Sequence, residues 1–193
     1  MNARSLLFTL LASAAALPAA AQNQAVNPGF VADLSGWTVL ANPAFTATHD
    51  PAQSFNSPGA LRVATPGATA VPFVVVRQCR TVTPGQVLDY GGKGRFESGH
   101  AADLKTFASV TWFTDGACTA GALPGPSSNI PGPAPNVWHS LHANDVTVPA
   151  GRNSAFFLLS IDLAAGEGVA WLDDVYFGPD PLTPVELMGW TVE

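Results

Sequence analysis

Short runs of alternating or β-branched residues recur along this chain, separated by Pro-Gly and Asp-Gly signals. This is the pattern of a sheet protein, not a helical one. The alternation is cleanest from Ala155 to Asp162, where Phe157, Leu159 and Ile161 fall on one side and Phe156, Leu158, Ser160 and Asp162 on the other. A period of two sends these sets to opposite faces of a sheet, and the first set is expected to face the core. The same reading predicts strands at Trp37–Ala41, Phe45–Thr48, Ala60–Ala64, Phe73–Val82, Val87–Phe96, Phe107–Thr114, Trp138–Val148, Ser154–Ile161 and Val169–Phe177. Turns are expected at Ser57-Pro58-Gly59, Pro66-Gly67, Pro84-Gly85, Asp115-Gly116 and Ala150-Gly151. Gly121 to Pro135 (GALPGPSSNIPGPAP) breaks the pattern. Pro and Gly at that density exclude a helix or a central strand, so a long surface loop is predicted there.

The first 21 residues read as an address, not as structure. Arg4 supplies a positive start, Leu6 to Ala16 an apolar run, Pro18 a break and Ala19-Ala20-Ala21 the small residues of a cleavage site. The run falls short of the ~20 apolar residues needed to cross a bilayer, so a signal peptide over 1–21 is expected. Residues 22–178 then form one domain, and 179–193 a tail that pairs as an edge strand or stays exposed. Export places the mature chain outside the cell, in the periplasm or on the cell surface.

Composition narrows the partners. The formal charge is −6 and the eight Lys and Arg are scattered, which disfavours nucleic acid, whose phosphates require clustered cations. Hydrophobic residues make up 47% of the chain, enough for a core rather than a disordered polymer. Cys79 and Cys118 are the two cysteines. An even count in an exported chain points to a disulfide, with two buried thiols as the alternative. A monomer is expected.

Catalytic chemistry is hard to find. Asp173-Asp174 is the one acidic pair, and strict alternation would send its members to opposite faces, unable to flank one glycosidic bond. There is no Gly-x-Ser-x-Gly elbow. His139 and His142 are three apart in a predicted strand, again on opposite faces, so shared metal ligation is not expected. Gly91-Gly92-Lys93-Gly94 lacks the spacing of a phosphate-binding loop and reads as bends in a strand.

A series of segments carries a resemblance. Asn27-Pro28-Gly29-Phe30 is followed by Gly36-Trp37, then by Ser57-Pro58-Gly59-Ala60-Leu61-Arg62-Val63, Gln78 to Gly85 (QCRTVTPG) and Val110 to Gly116 (VTWFTDG). Trp138, Val148 to Gly151 and Ala170 to Val175 (AWLDDV) complete it. In this order they resemble the jelly-roll carbohydrate-binding modules of families 4, 9 and 22, of the galactose-binding-like group, over Asn27 to Phe177. The resemblance implies an all-β, two-sheet antiparallel jelly-roll sandwich, with Trp37, Trp171 and Trp138 in the scaffold. It also implies a non-catalytic domain that binds a polysaccharide. Such families also hold a structural calcium with an aspartate corresponding to Asp174 and a Glu after Gly-Phe. Val31 stands in the latter position, so Asp33 or Asp50 would have to substitute.

The family's strand after Pro-Gly carries a ligand-facing aromatic, whereas this chain has Tyr90-Gly91-Gly92-Lys93-Gly94-Arg95 there. Alternation puts Lys93 and Arg95 on one face, suited to an acidic or heavily hydroxylated ligand, and Tyr90 with Phe96 on the other. The candidate carbohydrate-binding residues are therefore Trp112, Tyr90, Lys93 and Arg95. Trp112 is taken as the exposed aromatic and Phe113 as its inward neighbour. The missing platform, Val31 and the apolar tail also fit a second class, a structural or adhesion module of the envelope that binds protein partners.

Overall fold

The computed structural model describes residues 22–56, 58–66, 71–98, 105–131, 134–163 and 167–179. The expected signal peptide and the tail beyond Pro179 lie outside them. The strands are β1 (Thr38–Val39), β2 (Thr46–Asp50), β3 (Ala60–Pro66), β4 (Val71–Thr81), β5 (Val87–Phe96), β6 (Lys105–Phe113), β7 (Leu123–Pro131), β8 (His139–Thr147), β9 (Ser154–Leu163) and β10 (Glu167–Gly178). They form two five-stranded sheets, ordered β1-β4-β9-β6-β7 and β2-β3-β10-β5-β8, and every pairing is antiparallel. The all-β jelly-roll sandwich expected from the sequence is what the chain forms.

Alternation builds the interior. Phe157, Leu159 and Ile161 of β9 are fully buried, facing Leu88, Tyr90 and Phe96 of β5 and Leu172, Val175 and Phe177 of β10 in one core. Phe157 is a hub: its ring lies 5.3 Å from Phe177, 5.7 Å from Trp37 and 6.1 Å from Tyr90. Aromatic contacts at such distances add to the free energy of burial, which is roughly 25 cal/mol per Å² of apolar surface.

The segment before β1 closes one end of the sandwich. Gln24 N–H donates to Phe177 O, Val175 N–H to Pro28 O, and the Asn23 amide bonds Val175 O and Phe177 N–H. Buried Gln78 reads the main chain of Val26 in both directions, accepting from its N–H at 3.0 Å and donating to its carbonyl at 2.6 Å.

One segment departs from expectation. Instead of a loop, Leu123–Pro131 is a strand, β7, pairing only with β6 at the end of its sheet. The Pro rule applies to central strands. An edge strand has one unpaired side, where a missing N–H breaks no ladder. Pro126 falls where the β6–β7 register shifts, between Ser109 and Thr111.

The Cys79–Cys118 disulfide is present, ties β4 to the β6–β7 connection, and settles the cysteine alternatives in favour of the bridge.

Candidate functional site

The outward face of the β2-β3-β10-β5-β8 sheet gathers most of the unusual chemistry. The register sets Trp171 of β10 between Arg62 of β3 and Arg95 of β5. The Arg95 guanidinium lies over the Trp171 ring at 5.1 Å. It also donates to Gln53 Oε1 at 2.5 Å and to Asn136 Oδ1 at 3.3 Å. Trp171 Nε1 donates to Asp50 Oδ2. Arg95 and Trp171 are thus committed to each other and to the β2–β3 connection.

That connection, Pro51 to Asn56, reaches across the face. Phe55 N–H donates to Asp173 Oδ2 at 2.6 Å, and Asn56 Nδ2 donates to Asp174 Oδ2 at 3.2 Å. Asp173 and Asp174 therefore serve neighbouring residues of one loop, contrary to the expectation of opposite faces. The cause is a bulge: the β10 register shifts between Asp173 and Tyr176, and Asp174 has φ +48°, so strict alternation fails. The pair still cannot work as two acids on one substrate. Asp173 is 0% exposed, and its Oδ1 accepts the Asp174 N–H. Burial pushes its carboxyl above the ordinary carboxylate value.

Phe55 itself remains 39% exposed. Lys93 Nζ sits over its ring at 4.8 Å, and Trp138 meets it edge-on at 6.1 Å. Lys93 also donates to Ser140 Oγ on β8 at 2.7 Å. Beyond Lys93 the face opens into a groove of about 400 Å³ between β8 and β10. Gly91 and Gly92 are its floor, His142 and Asn144 one wall, Asp174 and Tyr176 the other, and Lys93 closes one end. Gly91 has no alternative: a Cβ there would stand 1.9 Å from Leu141 O.

The sequence-predicted residues divide. Lys93 and Arg95 share the outward face as alternation required, while Tyr90 and Phe96 point inward. Tyr90 is 1% exposed, with its ring in the core and its hydroxyl donating to Pro126 O, so it ties the two sheets together and presents no open ring face. Its burial raises the phenol's pKa. Trp112 is corrected as a platform, because its ring is 1% exposed and belongs to the core. The β6 register is the reverse of the expected one. Thr106, Ala108, Val110 and Trp112 alternate inward, while Phe113 packs outside them, edge-on to Phe156 at 5.0 Å. His139 and His142 do lie on opposite faces, since His139 pairs with Gly94 and His142 with Gly91.

The implied calcium does not fit the residues present. Asp174 bonds Asn56, Asp50 accepts from Trp171, and Asp33 caps Ser35. Among the described residues no three His, Cys, Asp or Glu side chains gather into a metal cluster, whereas Ca²⁺ needs six to eight oxygens.

Sequence reasoning missed Phe55. It lies in a turn-rich connection with no periodicity, and only the tether to Asp173 brings its ring onto the sheet. His142 was legible as solvent-facing but not as a groove wall.

No family model matches this chain, and no curated protein sequence does. Solved structures match its fold. A family 61 carbohydrate-binding module in complex with β-1,4-galactotriose aligns with TM-score 0.55 and 17% identity, over 82% of this chain and 99% of its own. The C-terminal family 22 module of Clostridium thermocellum Xyn10B aligns with TM-score 0.54 and 16% identity, over 82% and 94%. The MgGH51 α-L-arabinofuranosidase aligns with TM-score 0.59 and 17% identity, over 83% of this chain but 26% of that enzyme. The class these define is structural: a jelly-roll sandwich of the kind found in carbohydrate-binding modules, standing alone or set within larger enzymes.

Proposed function

We propose that this domain binds a polysaccharide without cleaving it, on the outward face of the β2-β3-β10-β5-β8 sheet. The observation that carries the reading is the glycine-floored groove beside an exposed ring held in place by Lys93. Pyranose C–H faces pack on an aromatic surface, while hydroxyls take hydrogen bonds from convergent polar groups. Phe55 offers the surface, and Lys93, His142, Asn144 and Asp174 offer the polar groups. Lys93 and His142 suit a hydroxyl-rich or uronic-acid chain. Catalysis is not part of the reading: Asp173 is closed to solvent, and Asp89, which lines the groove with Asp174, is 8% exposed and accepts the Asp145 N–H. An exported domain stiffened by a disulfide is a fitting vehicle for such binding.

Affinity electrophoresis against glucans, xylans, mannans, galactans and uronic-acid polymers tests it. Retardation by at least one polymer, weakened in Lys93→Ala, is expected. Free migration through every gel would overturn the reading and favour the adhesion module.

A further inference from the structure

Trp112 contributes more than its ring. An indole N–H normally finds an acceptor; no described residue takes that of Trp112, and the nitrogen is not one of the polar atoms shut away from solvent without a partner, so it is open to solvent. The reason lies in the edge strand beside it. Gly125 of β7 leaves the nitrogen uncovered, since a Cβ at that position would sit 2.6 Å from Trp112 Nε1. Its neighbours Pro124 and Pro126 carry no N–H, and the Pro126 carbonyl is already taken by Tyr90. The donor is open to the cleft, so an acceptor on a ligand can replace the water that otherwise meets it.

The nitrogen borders a cleft of about 660 Å³ between the edge strands of the two sheets, β7 and β8. Leu123, Pro124 and Pro149 give it apolar walls, and Ser127, Asp145 and Thr147 give it polar ones. That mixture suits a sugar ring, whose C–H faces and hydroxyls alternate in need. His142 and Asn144 border both this cleft and the glycine-floored groove. The two hollows are therefore neighbours, separated by the β8 edge.

From this we infer that the binding surface turns around β8. A glycan lying in the groove continues over His142 and Asn144 into the β7–β8 cleft, where one of its oxygens accepts the Trp112 N–H. The inference rests on the proposed polysaccharide reading and adds to it a second subsite with a directional donor on a fixed core side chain.

The test is ¹H–¹⁵N NMR of the whole mature chain, titrated with hexasaccharides of β-1,4-linked galactose, xylose, glucose and mannose and of α-1,4-galacturonic acid. The Trp112 indole signal is assigned through its contact with Gly125, so no core substitution is needed. Movement of both the Gly91–Gly92 amides and the Trp112 indole N–H with one probe is expected. Movement of the floor amides with a stationary indole would overturn the second subsite and leave the first reading standing. Silence of all these signals with every probe would overturn both. Ser127→Arg, at an exposed edge position, should fill the cleft, abolish the indole shift and weaken the hexasaccharide about tenfold, as loss of one net hydrogen bond does. Unchanged affinity in that variant would also sink the inference.

Discussion

The main-chain N–H of Phe55 donates to the Asp173 carboxylate at 2.6 Å across a sequence separation of 118 residues. One hydrogen bond thus fixes a turn-rich loop against a buried acid and sets an aromatic ring on the sheet face. The acid carries a penalty for that service. Burial holds its carboxyl above the ordinary 3.8, with the Asp174 charge adding to the shift and the N–H bonds from Phe55 and Asp174 opposing it. Between 3.8 and the raised value the folded chain binds more protons than the unfolded one. This group's contribution to stability therefore falls as pH rises through that window and is greatest below it. Asp33 and Asp115 work the other way. Hydrogen bonds from Ser35 and Thr119 hold them below 3.8, so their contribution is lost only as pH falls beneath that value. The windows are separate. Wild type should gain stability relative to Asp173→Asn as pH drops from neutral toward 3.8, read by thermal melts. A difference that stays flat would refute the burial-driven shift.

Arg95 is a clamp. It covers Trp171, holds Gln53 and reaches Asn136, and its hydrocarbon stem shares the outward face with Lys93. A guanidinium over an indole contributes about 0.5–2 kcal/mol, and its hydrogen bonds add to that. Arg95→Ala should lower stability by about 1–3 kcal/mol and expose Trp171. Increased acrylamide quenching of tryptophan fluorescence reports the second effect. Unchanged quenching with an unchanged melt would show that the stack contributes nothing.

The Cys79–Cys118 bridge spans a sequence separation of 39 and anchors the β6–β7 connection to β4. In the chain-entropy account a loop of that size stabilises by about 3–4 kcal/mol. Cys79→Ser with Cys118→Ser should lose that amount in urea unfolding, and reduction of the wild type should add the mass of two hydrogens. An intact mass that does not move on reduction would contradict the bridge.

What the sequence made legible follows from where side-chain period alone decides the outcome. Phe157, Leu159 and Ile161 found the core, and Lys93 and Arg95 found a common face, because period two is obeyed wherever a strand is paired regularly. The failures fall where that period is broken or where tertiary contact decides. Leu123–Pro131 became a strand because an edge tolerates proline. Asp173 and Asp174 met one loop because Asp174 adopts a left-handed backbone. Trp112 and Phe113 exchanged faces because composition at a strand end does not reveal which residue the opposite sheet covers. Phe55 had no local signal at all.

Phe55 and Lys93 allow the proposed face to be tested with little risk to the fold. Phe55 is partly exposed, and its contacts are the Lys93 ammonium on one side and the Trp138 edge on another. Truncating it removes a stacking surface worth about 0.5–1.5 kcal/mol, which is up to about tenfold in affinity. Its N–H to Asp173 is a main-chain bond and survives the change. Phe55→Ala should therefore weaken polysaccharide binding by up to tenfold in isothermal titration while shifting stability by less than about 1 kcal/mol. Lys93→Ala should weaken binding in the same way and also free Ser140. If the ligand carries uronic acids, only the Lys93 variant should lose the salt dependence of binding, because a cation's attraction to an anion is screened and an aromatic contact is not. Retention of full affinity by both variants would overturn the roles assigned to Phe55 and Lys93 and leave Tyr176, the half-buried ring in the groove wall, as the aromatic surface there.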